Sequence, residues 1–313
     1  MECCAYAFHL ARKLIDRVGC EVYVLNAGQL AIIYKSTKKT DLEDADKLSW
    51  LLKRFPPQEL PVIMLPSEKE LHRRAEVSEL SFKKRMRNRL INRLHSLYVR
   101  VGITGLEKKD LRTIEAREEN RKLLEGYTLS ESVRIEDELA LIEKHIDQIE
   151  GEITDDLKNE PLAPNLLSVP GVGPATAMAF LAHVGDGYRF SRGRQVSHFV
   201  GMTPRVDNSG ETVRLGNITK RGCTAIRAII VQSAWAAVHS KTPNSFQDKY
   251  LELYPWRGKG RATVAIAQRM LEVMWIVTVR NELYNHTSEE NLERKLRRLG
   301  LKEKKRKIME PAA

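Results

Sequence analysis

Between Leu166 and Gly222, glycine and proline break up apolar sequence so often that only short elements joined by tight turns can form there. The stretch opens with Leu166-Leu167-Ser168-Val169-Pro170-Gly171-Val172-Gly173-Pro174 and an alanine-rich apolar run. It continues through Phe199-Val200-Gly201-Met202-Thr203-Pro204-Arg205 and Asn208-Ser209-Gly210. Gly216-Asn217-Ile218-Thr219-Lys220-Arg221-Gly222 then leads into a second apolar helix that runs to Ser240. Three glycine-marked turns, a loop serine and a basic cluster thus fall close together, and glycine permits backbone conformations there that other residues resist.

Pro170-Gly171-Val172-Gly173-Pro174 lies between two apolar helical segments and has the form of a helix–hairpin–helix turn. Gly171 and Gly173 would let a partner come close to the backbone, and Pro174 suits the first position of a helix. That helix start offers free N–H groups to a phosphate. An ordinary helix–helix turn would use the same residues. Asn208-Ser209-Gly210 reads as a turn by composition, and taken alone Ser209 is a turn serine. Its neighbours Arg205, Arg214, Lys220 and Arg221 make a bound phosphate a reasonable expectation.

The formal net charge of +11 over 313 residues favours a polyanionic partner, nucleic acid above all, over a merely basic protein. Lys83, Lys84, Arg85, Arg87, Arg89 and Arg93 follow one another without an acid between them. They form either a solvated helix face or a surface that displaces counterions from a phosphate backbone. Four cysteines occur without a CxxC pair, and no histidine spacing suggests zinc. Free thiols in a reducing compartment follow. No signal peptide is visible, and the apolar helix around Met270 to Val279 carries Glu272 and reads as too short to span a bilayer. The expectation is a soluble cytoplasmic protein with no membrane partner.

The length suggests two or three domains. Residues 1–66 read as helix, strand, helix. Leu10, Leu14, Ile15 and Val18 form one stripe, Cys20 to Leu25 a short buried strand, and Leu48, Leu51, Leu52 and Phe55 a second stripe. This is an α/β pattern with only one clear strand, followed by a proline-bounded connector at 61–66. Residues 67–160 are helical. Val133, Leu139, Ile142, Ile146 and Ile149 recur at near-heptad spacing, which predicts a helical hairpin or a coiled coil and so a candidate dimerisation element. Residues 161–286 are mainly helical, and 287–313 form a basic tail.

Thr40-Asp41-Leu42-Glu43-Asp44 opens the second helix. Thr40 with Glu43 fits a capping box, and acids suit the positive end of a helix. Asp41 and Asp44 also share a face, so they could hold Mg²⁺, with a third carboxylate from a neighbouring strand completing a two-metal site.

Taken together, these residues resemble the DEDD transposases of bacterial insertion sequences, a family that includes the Piv-type invertases and the bridge-RNA-guided recombinases. The motifs at 167–173, 199–205, 208–210 and 218–222 carry the resemblance in the C-terminal half, and Lys39-Thr40-Asp41-Leu42-Glu43-Asp44-Ala45 carries it in the N-terminal half. The resemblance implies a mixed α/β and α fold. Its parts would be an incomplete RNase H-like, RuvC-type α/β domain, a helical coiled-coil middle, and a mainly α C-terminal domain with a helix–hairpin–helix. It implies that Glu2, Asp41 and Asp44 are Mg²⁺ ligands and that Ser209 is catalytic. DNA as substrate, a guide RNA from the same element, and a homo-oligomer with a composite site follow in the same way. The family's first aspartate lies on a strand before the glutamate matched by Glu2. No residues occupy that place, so a truncated nuclease domain with little or no activity is expected. The rival expectations are a non-catalytic DNA-binding module and an inactive transposase remnant.

Overall fold

The computed structural model describes residues 1–4, 6–30, 40–209 and 212–300, without the side chains of 27, 206–209, 212–215 and 298. It divides into two compact units, Met1–Leu71 and His72–Ala313.

In the first unit, helix α1 (Ala7–Val18) stops at Gly19, whose left-handed φ of 68° lets its N–H reach the Ile15 carbonyl. Strand β1 (Val24–Leu25) pairs antiparallel with β2 (Val62–Ile63), and Glu2 forms a parallel bridge with Leu25 on the other edge. Consecutive strand residues face opposite ways, so Val24 joins Ala7 and Ala11 in one small core while Leu25 joins Leu30 and Leu51 in another. Helix α2 (Asp41–Arg54) supplies Leu51 and ends before Pro56. Two expectations change here. The segment read as a connector contains β2, and the helix stripe is not the buried face. Ala7 and Ala11 are buried, whereas Leu10, Ile15 and Val18 are exposed.

The second unit begins near the start of α3 (Glu68–Arg100), a long helix joined through α4 (Ile114–Arg121) to a second one, α5 (Gly126–Lys158). They run antiparallel. Arg73 near the start of α3 forks onto Asp156 (2.5 and 3.1 Å) and Glu160 (2.7 Å), and Arg100 at its end reaches Glu131 (2.6 Å). Ile135, Leu139, Ile142, Ile146, Ile149, Ile153 and Leu157 are buried within the chain. Of the two readings of this stripe, a helical hairpin or a coiled coil, the fold shows an intramolecular hairpin, and its register begins at Ile135 because Val133 is exposed.

The chain then folds around one large core. Helices α6 (Ala163–Leu167), α7 (Pro174–His183), α8 (Gly193–Phe199), α9 (Thr224–Val238), α10 (Ser245–Val279) and α11 (Glu289–Arg298) all face it. A β-hairpin, β3 (Pro204–Ser209) and β4 (Thr212–Ile218), leaves it between α8 and α9. Helix α10 is 35 residues long and breaks at Gly258 (φ 68°). By length and composition it could cross a membrane, which corrects the shorter reading from sequence. Half of its apolar window is buried within the protein, with Ile266, Met270 and Met274 in the core.

Candidate nucleic-acid interface

Two glycines fix the base of the hairpin. Gly201 has φ 76°, and a Cβ there would lie 1.8 Å from the Arg221 carbonyl oxygen. At Gly222, with φ 108°, a Cβ would lie 2.3 Å from the Phe199 carbonyl oxygen. No side chain fits at either crossing, so the 199–203 loop and the 219–222 turn lie against each other. Lys220 donates its N–H to Gly201 (3.0 Å) and Thr219 to Thr203 (2.9 Å), with Lys220 itself at φ 55°. Two motifs some twenty residues apart in sequence thereby become one structural unit.

From that base β3 and β4 extend in register, Asp207 opposite Arg214 and Ser209 opposite Thr212, with an irregularity between Pro204 and Val206. The strand continues through Asn208 and Ser209, which the sequence reads as a turn. Gly210 lies outside the described residues, as do the side chains of Ser209 and Arg214. Ser209 is thus placed by its backbone at the last position of β3.

Beside the hairpin base is a cleft lined by Ser191, Arg192, Arg194, Gln195, His198, Thr203, Pro204, Arg205 and Thr219, with no acid among them. Arg205 is a residue the sequence singles out, whereas Arg192, Arg194 and His198 were missed. Their only signal is a basic composition just before the Phe199 motif. Lys220 and Arg221 are exposed at the turn, and Arg227 holds that turn by donating to the carbonyls of Val200 (2.9 Å) and Gly222 (3.1 Å).

The 170–174 turn sits elsewhere in the unit. Gly171 (φ 79°) packs on α9, where a Cβ would lie 2.2 Å from the Ser233 carbonyl oxygen. Helix packing by itself accounts for the glycine at this position. Gly173 caps α7 and has open space around its Cα. Behind the turn, the Lys295 ammonium donates to the carbonyls of Leu167 (2.8 Å), Val169 (3.2 Å) and Val172 (2.9 Å). Burial, helped by neighbouring Arg294, brings its pKa down to about 8. At the far end of α7, His183 is buried 3.5 Å from the Cys223 sulfur. Burial, then Arg74 and Arg189, lowers its pKa to about 4.

The basic run on α3 is divided. Lys83 contacts His145 (3.1 Å), Lys84 pairs with Glu150 (2.6 Å) and Arg93 reaches Glu131 (3.5 Å) across the hairpin. Arg85 and Arg89 are exposed and Arg87 half-buried, and the three make no ion pair among the described residues.

The acids do not converge. Asp41 and Asp44 lie in the first turn of α2, which Thr40 caps by accepting the Glu43 N–H (3.3 Å), and Lys47 takes the Asp44 carboxylate at 3.2 Å. Glu2 sits beside Leu25. No three His, Cys, Asp or Glu side chains group as a metal site among the described residues. As they stand these acids do not fit a two-metal centre, whose paired cations need several carboxylates to offset their repulsion, and no step is derived through Mg²⁺.

Comparison with known proteins defines the class: the chain is an insertion-sequence transposase. The profile described as Transposase IS116/IS110/IS902 family matches residues 163–251, which span the glycine turn, the cleft and the hairpin. A protein of Pseudomonas aeruginosa named probable family 20 transposase is 28% identical over 298 residues, covering 91% of this chain and 84% of its own. The transposase for insertion sequence element IS1111A of Coxiella burnetii is 38% identical over 119 residues, 37% of this chain and 33% of its own. The transposase for IS1328 of Yersinia enterocolitica is 24% identical over 297 residues, with shares of 91% and 84%. Over residues 163–251 the chain thus matches the IS116/IS110/IS902 family of transposases, and over most of its length it is similar to insertion-sequence transposases.

Proposed function

We propose that the chain cuts and rejoins DNA at the ends of its insertion sequence, with Ser209 as the nucleophile. The observation that carries this reading is the hairpin. Ser209 ends β3 at its far end, and the hairpin base is fixed between two glycine crossings beside a basic cleft with no acid among its described lining residues. Attack by the serine oxygen forms a phosphoserine bond as the bond to the departing hydroxyl breaks, and the serine proton ends on the departing oxygen. Rejoining is the reverse exchange. Arginine and lysine side chains around the hairpin would offset charge on the phosphate oxygens. Gly173, at the open start of α7, and the unpaired Arg85, Arg87 and Arg89 offer further phosphate contacts, and the last three suit a guide RNA as a second polyanion. Glu2, Asp41 and Asp44 would hold Mg²⁺ only with carboxylates from outside the described residues or from another subunit of a homo-oligomer. A strand-transfer assay titrated with Mg²⁺ tests that part.

Ser209→Ala should leave the fold and DNA affinity unchanged and abolish strand exchange in cells carrying the element. Wild-type recombination by that variant removes Ser209 from the chemistry. A second reading, a non-catalytic DNA-binding protein, is favoured by the scattered acids. Metal-dependent strand cleavage by the purified protein excludes it.

A further inference from the structure

Every described side chain that lines the cleft beside the hairpin either donates hydrogen bonds or is neutral. Arg192, Arg194, His198 and Arg205 are exposed and make no ion pair among the described residues. Gln195 accepts from the Ser191 N–H (2.9 Å) and hydroxyl (3.1 Å) through its Oε1, which leaves its NH₂ group as a donor. The hydroxyls of Thr203 and Thr219 are buried without a partner among the described residues, and Thr203 is itself buried. A cleft rich in donors and, among the described residues, without a carboxylate suits an anion.

The arginines are also held in place. A Cβ on Gly193, between Arg192 and Arg194, would lie 3.0 Å from the Glu272 Cα of α10. The Trp275 indole N–H fastens the preceding loop by donating to the Gly187 carbonyl (3.0 Å). Arg192 and Arg194 come from the start of α8, whereas Arg205 comes from β3, so the charges spread along the cleft from two elements. That spread suits consecutive phosphates of a strand better than one isolated ion. Arg205 lies four residues before Ser209 along an extended strand, about 13 Å.

We propose that this cleft holds backbone phosphates of the DNA strand being cut, next to the phosphate attacked at the hairpin end. The role assigned to the cleft rests on the serine reading above. Its binding of DNA is measured separately. The test uses the full chain, with binding to a short mixed-sequence DNA duplex followed by fluorescence anisotropy as salt is raised. Arg192→Gln with Arg194→Gln should lower affinity at least tenfold and make the log–log salt slope shallower by about 2, because each arginine on a phosphate displaces about one counterion. Arg192→Lys with Arg194→Lys should keep the slope and so show that charge, not folding, is responsible. An unchanged slope in the Gln variant overturns the proposal. A weakening confined to single-stranded RNA of the same sequence also overturns it, by assigning the cleft to RNA. Ser209→Ala is the control that separates the two ideas. If it recombines normally, the serine reading fails while the anisotropy result still decides whether the cleft binds DNA.

Discussion

Leu166, Phe180, Met270 and Leu271 of the C-terminal unit are shielded from solvent and belong to one continuous cluster. The N-terminal unit divides its apolar side chains between two small clusters on opposite faces of β1, and leaves Leu10, Ile15 and Val18 of α1 exposed. Burial stabilises roughly in proportion to apolar area, so the first arrangement can carry costs that the second cannot. The C-terminal unit does carry them. It holds a neutral buried histidine, an ammonium inside a ring of carbonyls, and a non-glycine residue, Lys220, at positive φ. In the N-terminal unit order depends on short-range devices: the Thr40 cap, the Gly19 stop, and the main-chain bonds that tie Met1 and Cys3 to Leu25.

The sharpest way to break this contrast is Gly201→Ala. The added Cβ meets backbone, not a movable side chain, and the residue sits at φ 76°. We expect the C-terminal unit to be destabilised by at least about 3 kcal/mol. The measurement is chemical unfolding followed by tryptophan fluorescence in a Trp50→Phe background, where the remaining tryptophans, Trp235, Trp256 and Trp275, all lie in that unit. Full stability of the variant would mean that the crossing is not fixed.

A smaller effect separates the units by pH. His183 has a folded pKa near 4 against 6.5 for the free side chain, so its contribution is fully present above pH 6.5 and is lost as pH falls toward 4. The gap corresponds to about 3 kcal/mol at most. The C-terminal unit should lose stability over that window, and His183→Gln should flatten the dependence. An unaltered pH profile in the variant rejects His183 as the source.

The smallest expected effect lies in the N-terminal unit. Thr40→Ala removes the acceptor for the Glu43 N–H and should cost α2 about 1 kcal/mol. Faster amide exchange over residues 43–54, with exchange in α9 unchanged, is the expected outcome.

The turns were legible in the sequence because each glycine marks a place where a side chain cannot fit, and that requirement is local. Gly201 and Gly222 are the clearest cases, although their contact with each other's loops could not be read from spacing. The hairpin between them was missed because β3 and β4 are rich in Asp, Asn, Arg and Gly, a composition that reads as loop until the two segments pair. Strand β2 was missed because two residues between prolines are too short to show a period. The apolar repeat of α5 was visible, but its partner was not. The same stripe would serve a second copy of the chain or α3, and only the opposed charges, Arg73 against Asp156 and Arg100 against Glu131, identify α3. The basic run on α3 was legible as charge, whereas its division between paired and unpaired residues depends on which side faces α5.

The Lys295 ammonium has a consequence for the order in which the protein is made. Its three carbonyl partners lie 123 to 128 residues earlier in the chain, on the turn between α6 and α7. During synthesis the N-terminal parts of a chain emerge and begin to fold first. The turn, α7 and the hairpin are therefore already outside the ribosome while the residue that satisfies Leu167, Val169 and Val172 has yet to be added. Until then the Leu167 and Val172 carbonyls must be served by water, whereas Val169 already accepts the Val172 N–H (3.1 Å), and the face that receives Leu292 and Leu296 of α11 stays open. Closing so long a loop is slow compared with forming a local helix, so the segment with the most specific turns is the last to be sealed.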